Sequence, residues 1–246
     1  MLTQTLRCPL CASDHLYSNG HAKNGKRRFQ CQDCHKYSRQ DPGSNAYDEK
    51  TKAMILAAYH ERPSLRGLQR IFGVSRNTVS SWLKKASHLP PLEQTLLPAH
   101  EGEPLELDEL WSFVGRRKTK RWVWLALCRR TRQVVAYAIG GRGEETCRQL
   151  WERIPSAYQS GLLYTDFWDA YQKVLPEKQH RATGKGDGET NHIERFNNVL
   201  RQRLARFVRQ TLSFSKIDMM HENCLRLFLH DYNQPTCHQP KRIRLG

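Results

Sequence analysis

Apolar residues follow two rhythms along this chain, and the change from one to the other divides it. From about Asp48 to Glu61, Ala53, Ile55, Leu56, Ala58 and Tyr59 gather on one side of a helix. Pro63-Ser64 ends that helix, and Ser64 is placed to cap a second, in which Leu65, Leu68, Ile71 and Phe72 recur at helical spacing. Gly73-Val74-Ser75 predicts a tight turn, with Gly73 left-handed and Ser75 capping a third helix. That helix, Arg76–Lys85, buries Val79 and either Leu83 or Trp82. From Pro104 the rhythm becomes that of strands: 104–115, 121–127 and 133–139, separated by basic turns at Arg116–Lys120 and Arg129–Arg132. A helix over 144–154 points Leu150, Trp151 and Ile154 inward, and a short buried strand over 162–166 follows. Then come a helix over 168–174, a flexible loop at Gly184–Gly188 and a long helix from Thr190 to about Arg209.

The order of the second half places three acids at telling points. Asp108 lies toward the end of the first strand, Asp166 ends the fourth, and Glu194 sits on the late helix. Three antiparallel strands, a helix, a further strand and later helices make a ribonuclease H-like α/β layout, a mixed sheet flanked by helices. There the first and fourth strands run parallel as neighbours, setting two Asp side by side, and the late helix adds the third carboxylate. Three hard oxygen donors suit Mg²⁺ or Mn²⁺. Two such ions activate an attacking oxygen and stabilise a leaving one in phosphoryl transfer.

Glu194 is the one acid between positions 194 and 209, among Arg195, Arg201, Arg203, Arg206 and Arg209. Arg201 follows it by two helical turns on nearly the same face, placed to grip a phosphate, and Asn197 lies between them, placed to orient DNA or Arg201. A bare intrahelical pairing of Glu194 with Asn198 or Arg201 is the blander reading. Rival acids are less well placed: alternation turns Glu109 to the opposite face from Asp108, Asp169 falls on a helix surface, and Asp187 and Glu189 adjoin the loop. Glu189 remains a substitute for Glu194. His192 is near enough to serve the metal centre, although such a residue more often packs or hydrogen-bonds.

The first 43 residues follow another logic. Cys8-Pro-Leu-Cys11 and Cys31-Gln-Asp-Cys34 are separated by 19 residues, the spacing of a four-cysteine Zn²⁺ ribbon. His15, His21 and His35 lie close enough to replace a cysteine, but four thiolates are the simpler set. So small a segment needs its metal to fold. Cys128, Cys147, Cys224 and Cys237 are scattered, which favours inert thiols over a disulfide framework. Lys23, Lys26, Arg27 and Arg28 permit DNA contact by the ribbon. A loop at Asp41-Pro-Gly-Ser-Asn45 closes it.

Charge unites the segments. The chain has 40 Lys+Arg against 24 Asp+Glu, a net +16 in 246 residues. The excess is spread as +4, +2, +4 and +6 over 1–43, 44–103, 104–180 and 181–246, so folded basic surfaces rather than a basic tail are expected. That points to nucleic acid. No Lys-rich amphipathic helix argues for a membrane surface, the apolar run Trp122–Cys128 is too short to cross one, and the N-terminus has no signal-peptide core. The helices around Gly73 then read as a helix-turn-helix whose third helix offers Arg76, Asn77, Thr78 and Ser80–Ser81 to DNA bases. The expected organisation is a zinc ribbon (1–43), an all-α helix-turn-helix domain (44–87), a Pro-containing linker (88–103) and a catalytic domain (104–246).

Three blocks, Leu-Asp108-Glu-Leu-Trp-Ser-Phe-Val, Tyr-Thr-Asp166 and Thr-Asn-His-Ile-Glu194-Arg-Phe-Asn-Asn-Val-Leu-Arg201, resemble the DDE transposases of insertion sequence one. Thr211-Leu-Ser-Phe-Ser-Lys216 and the order of ribbon then helix-turn-helix resemble them too. The 27 residues between Asp166 and Glu194 leave no room for an inserted domain. The resemblance implies Mg²⁺-dependent cleavage and strand transfer by Asp108, Asp166 and Glu194. It implies recognition of double-stranded terminal inverted repeats and of target DNA, by a homodimer or larger assembly, at the nucleoid in a bacterial or archaeal cytoplasm. In that family the DNA-binding and catalytic parts are often joined by frameshifting; here they are continuous. The alternatives are a non-catalytic DNA-binding regulator and a ribonuclease or resolvase-like nuclease with the same metal site.

Overall fold

A computed structural model of the chain describes residues 6–22, 25–40, 46–184 and 186–234. Lys23, the loop at 41–45 and Cys237 lie outside the described residues. The chain forms two compact units, divided between Lys52 and Ala53.

The first unit is an antiparallel sheet of β1 (Leu16–His21), β2 (Arg27–Cys31) and β3 (Tyr37–Arg39) in that order. Its strands are mostly exposed, and Cys8 and Cys31 are the buried ones among its described residues. Among the described residues there is no apolar core of useful size, as expected of a metal-dependent fold.

The second unit is built on a five-stranded sheet. Its strands are β4 (Leu105–Phe113), β5 (Lys120–Cys128), β6 (Val134–Gly140), β7 (Leu163–Thr165) and β8 (His180–Ala182), in the spatial order β6-β5-β4-β7-β8. The first three form the expected antiparallel meander, while β4–β7 and β7–β8 are parallel. The sheet is therefore mixed, and β4 runs through its centre. One face packs with α4 (Glu144–Arg153) and α5 (Asp169–Val174) around Leu105, Leu107, Trp124, Leu150 and Tyr171. The other is covered by α6 (Asn191–Arg203) and α7 (Asp218–Tyr232) through Leu110, Ile193, Phe196, Leu225 and Phe228. Neither β8 nor α7 is apparent from the pattern. The late helix also stops at Arg203, short of the expected Arg209, and continues as a tight turn over Ala205–Phe207.

The three N-terminal helices are α1 (Glu49–Tyr59), α2 (Leu65–Phe72) and α3 (Arg76–Lys84). The capping chemistry read from the sequence is present. Ser64 Oγ accepts from the Gly67 amide and Ser75 Oγ from the Asn77 amide, and Gly73 sits at φ 66°, donating its amide to the Gln69 carbonyl. Val79 and Leu83 are buried and Trp82 half-buried, but Ile71 is 69% exposed. Ile71 departs from expectation because this short helix turns a narrow face, Leu65, Leu68 and Phe72, to its neighbours. Ile55, Tyr59, Leu68, Val79 and Leu83 share one apolar cluster with α6 and α7.

The stretch 88–103, expected as a linker, lies strapped to the same unit. Gln133 donates to the Thr95 carbonyl and accepts from the Leu97 amide, Tyr158 donates to the Leu97 carbonyl, and Arg130 pairs with Glu103 at 2.8 Å. These partners lie 27 to 61 residues away in sequence, which local patterning does not register.

Buried His221 on α7 sets an acid limit to this unit. Its ring stacks on Phe207 at 4.3 Å and lies between Ser112 Oγ (2.8 Å) and Ser215 Oγ (3.4 Å). Burial, with Arg206 adding to it, lowers its pKa from 6.5 to about 4. The unfolded chain therefore takes up this proton near pH 6.5 and the folded chain does not until about pH 4. The native state loses stability as pH falls through that window, by roughly 3 kcal/mol from this group. Urea melts at pH 7 and pH 4.5 should differ less for His221→Asn than for the wild type; an equal difference refutes the assignment.

Candidate metal sites

Two clusters of ligand-type side chains stand out among the described residues, one in each unit.

In the first unit, the donor atoms of Cys8, Cys11, Cys31 and Cys34 all lie within 4.8 Å of one another. Cys8 Sγ is 3.7 Å from Cys34 Sγ, and Cys11 Sγ is 3.5 Å from Cys31 Sγ. A Zn–S bond of about 2.3 Å gives a tetrahedron edge of about 3.8 Å, so the four sulfurs fit Zn²⁺. Local geometry makes the two knuckles alike. The residue after each second cysteine is left-handed, Ala12 at φ 59° and His35 at φ 56°. Backbone amides of Leu10 and Cys11 lower the Cys8 pKa, and those of Cys34 and Asp33 bring Cys31 down to about 6. Thiolate is the form that binds metal. Of the nearby histidines, His15 faces Asp33 at 3.3 Å.

In the second unit the site begins on β4. Its alternation sends Glu106 and Asp108 to the α6 side and Glu109 to the α5 side. β4 and β7 pair in parallel with Leu105 beside Leu163 and Glu106 beside Tyr164. Continuing that register sets Asp108 level with Asp166, one residue past β7. Oxygens of Asp108, Glu109 and Asp166 lie within 4.8 Å of one another. Glu109 does leave by the opposite face, as alternation requires. Its longer side chain still reaches the other two because β7 ends at Thr165 and does not flank it.

Each acid is held. Asp108 Oδ1 accepts from the Glu109 amide at 2.8 Å and Oδ2 from Asn197 Nδ2 at 2.7 Å. Asp166 Oδ1 accepts from the Trp168 amide at 3.0 Å. Burial, reinforced by the Glu109 charge, pushes the Asp108 carboxyl up to about 7. Such a group favours a cation beside it. Asn197 Oδ1 is buried with no hydrogen-bond partner among the described residues, a further oxygen donor beside Asp108. The donor set is all oxygen and fits Mg²⁺ or Mn²⁺.

Glu106, which sequence reading passed over, fixes α6 against β4. It is fully buried, and Oε2 accepts from the His192 and Ile193 amides at 2.9 and 3.0 Å. Oε1 meets Arg129 Nε at 2.9 Å and His192 Nδ1 at 2.6 Å. A carboxylate on the first amides of a helix complements its dipole and supplies the missing cap. Its signal in the sequence is its spacing of two from Asp108, on the same face of the strand. His192 therefore serves Glu106 rather than the acid cluster.

The remaining candidates fall as follows. Glu194, in the first turn of α6, is exposed and accepts from Thr190 Oγ1 at 3.2 Å; it is outside the group of three acids. Asn197, one turn on, is 7% exposed and faces Asp108, so it does not lie on an open DNA-facing surface. Arg201 is half-buried and donates to the Phe207 carbonyl at 3.4 Å. Burial, with Arg209 nearby, lowers its pKa. The rival acids are engaged elsewhere: Glu189 with Arg129 at 2.8 Å, Asp169 with Lys173 at 2.7 Å, and Asp187 with the Gly184 amide. On α3, Arg76, Asn77 and Ser81 are exposed and Thr78 is half-buried. No helix among the described residues is long and apolar enough to cross a membrane.

Known proteins divide over this chain in the same way as its chemistry. Residues 104–233 match the family described as IS1 transposase, and residues 1–35 match the InsA N-terminal domain, a zinc ribbon. The insertion element iso-IS1n protein InsB of Shigella dysenteriae is 39% identical over 127 residues, which are 52% of this chain and 94% of that protein. The insertion element IS1 protein InsB of Shigella flexneri is 37% identical over 125 residues, 51% of this chain and 92% of that protein. An IS1 InsB protein of Escherichia coli strain K12 is 35% identical over 125 residues, 51% and 72%.

Proposed function

Because this chain belongs to the IS1 transposase family, we propose that it binds the terminal inverted repeats of an insertion sequence and catalyses metal-dependent cleavage and strand transfer of DNA. The observation that carries this reading is the convergence of Asp108 and Asp166 at the end of the β4–β7 pair. Glu194, which lies outside that cluster and accepts from Thr190, would complete the carboxylate set from α6. It is three residues before Asn197, hence on the same face, and Asn197 already touches Asp108. The catalytic part is read as ribonuclease H-like. Asp108, Asp166 and Glu194 would hold divalent ions, whose contribution would be activation of the attacking oxygen and stabilisation of the leaving one.

In the first step the oxygen of water bonds to phosphorus at the element's end and the 3′ oxygen leaves, taking up a proton. In the second, that 3′ oxygen gives up its proton and bonds to phosphorus of a target phosphodiester, whose own 3′ oxygen leaves, taking up a proton. The residues orient both. Asn197 holds the Asp108 carboxylate, and Glu106 holds α6 in register with β4. Arg201, two turns from Glu194 and without an ion pair among the described residues, grips a phosphate. Upstream, α2, the Gly73 turn and α3 act as a helix-turn-helix presenting Arg76, Asn77, Thr78 and Ser81 to the inverted repeat, and the zinc ribbon adds basic surface. Two ends must be joined, so a dimer or larger assembly is the working form.

The test is a strand-transfer assay with DNA carrying the flanking inverted repeats and Mg²⁺. Joined products, lost on chelation of Mg²⁺, are expected. End binding without any cleavage would support a regulator instead, and cleavage without joining a nuclease. Within the assay, Arg201→Ala should lower the strand-transfer rate by roughly tenfold to a hundredfold while binding ends nearly as well, the cost of one charged hydrogen-bonding group. An unchanged rate removes Arg201 from the site.

A further inference from the structure

Arg142, in the loop between β6 and α4, is held in a way that surface arginines are not. Its guanidinium carbon lies 4.5 Å from the centre of the Trp122 ring and 3.8 Å from that of Trp168. Trp168 Nε1 also donates to the Arg142 carbonyl at 3.2 Å, while the Trp168 amide donates to Asp166. From this clamp Arg142 Nε and Nη2 both reach Glu109 Oε1 at 2.8 Å. Tyr171, itself buried, donates to Glu109 Oε2 at 3.0 Å. Both oxygens of a carboxylate whose side chain is 1% exposed are therefore taken, although one lies within 4.8 Å of oxygens of Asp108 and Asp166.

A third acid so close has two possible fates. A free Glu109 would turn to a cation at the Asp pair, since each added carboxylate raises affinity for a divalent ion. It would also occupy a coordination position that phosphate or water needs in phosphoryl transfer. Arg142 removes it from that competition. A flat, weakly hydrated guanidinium between two indoles, bonded twice to one carboxylate, keeps its place far better than a lysine would.

We propose that Arg142 is a positioning residue that withholds Glu109 from the metal, so that Asp108, Asp166 and Glu194 would hold the ion with positions left open for DNA phosphate. This rests on the metal-centre reading given above. The resulting site binds its ion less tightly than its acids allow, and turns over for that reason.

The test is Mn²⁺ binding to the zinc-loaded full chain without DNA, followed by electron paramagnetic resonance, with strand transfer measured alongside. Arg142→Gln is expected to bind Mn²⁺ about tenfold more tightly than the wild type and to transfer strands more slowly; Arg142→Gln combined with Glu109→Gln returns to the wild-type affinity. A merely structural role predicts the reverse, weaker binding together with slower transfer. Should Arg142→Gln melt early, Arg142→Lys, which keeps the charge but loses the fork, is expected to tighten binding by a smaller factor. Wild-type binding that Asp166→Asn abolishes, but that is unchanged or weakened in both Arg142 variants, overturns this assignment alone. Wild-type binding that Asp166→Asn leaves intact overturns the metal-centre reading as well.

Discussion

Replacing Asp166 by Asn is expected to lower Mg²⁺-dependent strand transfer by about 10³-fold or more, a loss of roughly 4 kcal/mol of transition-state stabilisation, while leaving inverted-repeat binding intact. Asp108→Asn should behave alike. The amide preserves the shape of the side chain and removes the charge that a hard cation needs. The same substitutions should not harm the fold. Asp108 is pushed up to about 7 by burial and by Glu109, so a neutral group there is favoured when no cation is bound. Thermal melting of zinc-loaded Asp108→Asn in buffer free of Mg²⁺ and Mn²⁺ should therefore be no lower than that of the wild type. Early melting would make any loss of activity uninformative. Normal melting with undiminished strand transfer in both variants would remove these residues from the chemistry.

The second large effect concerns zinc. Free energies of structural zinc sites are on the order of 10 kcal/mol, more than a domain of this size can supply from apolar burial. The strands of the first unit bury little besides Cys31. Stripping the metal, or changing Cys31 to Ser, should melt β1–β3 while Ala53 onward stays folded. Amide hydrogen exchange resolves the two: residues 16–39 should lose all protection and residues 105–128 should keep theirs. Retained protection in β2 after metal removal contradicts this. Loss of end binding in the same sample would give the ribbon a share in DNA recognition.

How much of this was legible in the sequence depended on how local each cause is. Ser64, Gly73 and Ser75 act within four residues, and their capping roles follow from residue type alone. The cysteine pairs and the antiparallel meander were equally readable. The pairing of Asp108 with Asp166 required one non-local step, a parallel β4–β7 register, which the order of elements supplied. Glu109 was misjudged on distance: alternation gives its face correctly, but not the early end of β7 that lets it approach Asp166. Glu106 is invisible as a helix cap because its partners lie 86 and 87 residues away. β8 is a three-residue strand without apolar alternation, defined by its pairing with β7. In α7 buried positions such as Met220, His221, Asn223, Cys224 and Leu225 surround much of the helix, so no single stripe marks it. The strapping of 88–103 rests on Gln133 and Asn233, whose side chains meet Thr95 from distant parts of the chain.

On the function proposed above, the carboxylate at position 166 holds the ion that drives DNA strand transfer. Its most direct test exchanges the donor atom. Asp166→Cys places a soft sulfur where a hard oxygen stood, and sulfur disfavours Mg²⁺ more than Mn²⁺. Strand transfer by this variant on an inverted-repeat end should be absent in Mg²⁺ and restored in Mn²⁺, with the wild type active in both. A folded, end-binding Asp166→Cys protein that is equally active in Mg²⁺ and Mn²⁺ would contradict the account.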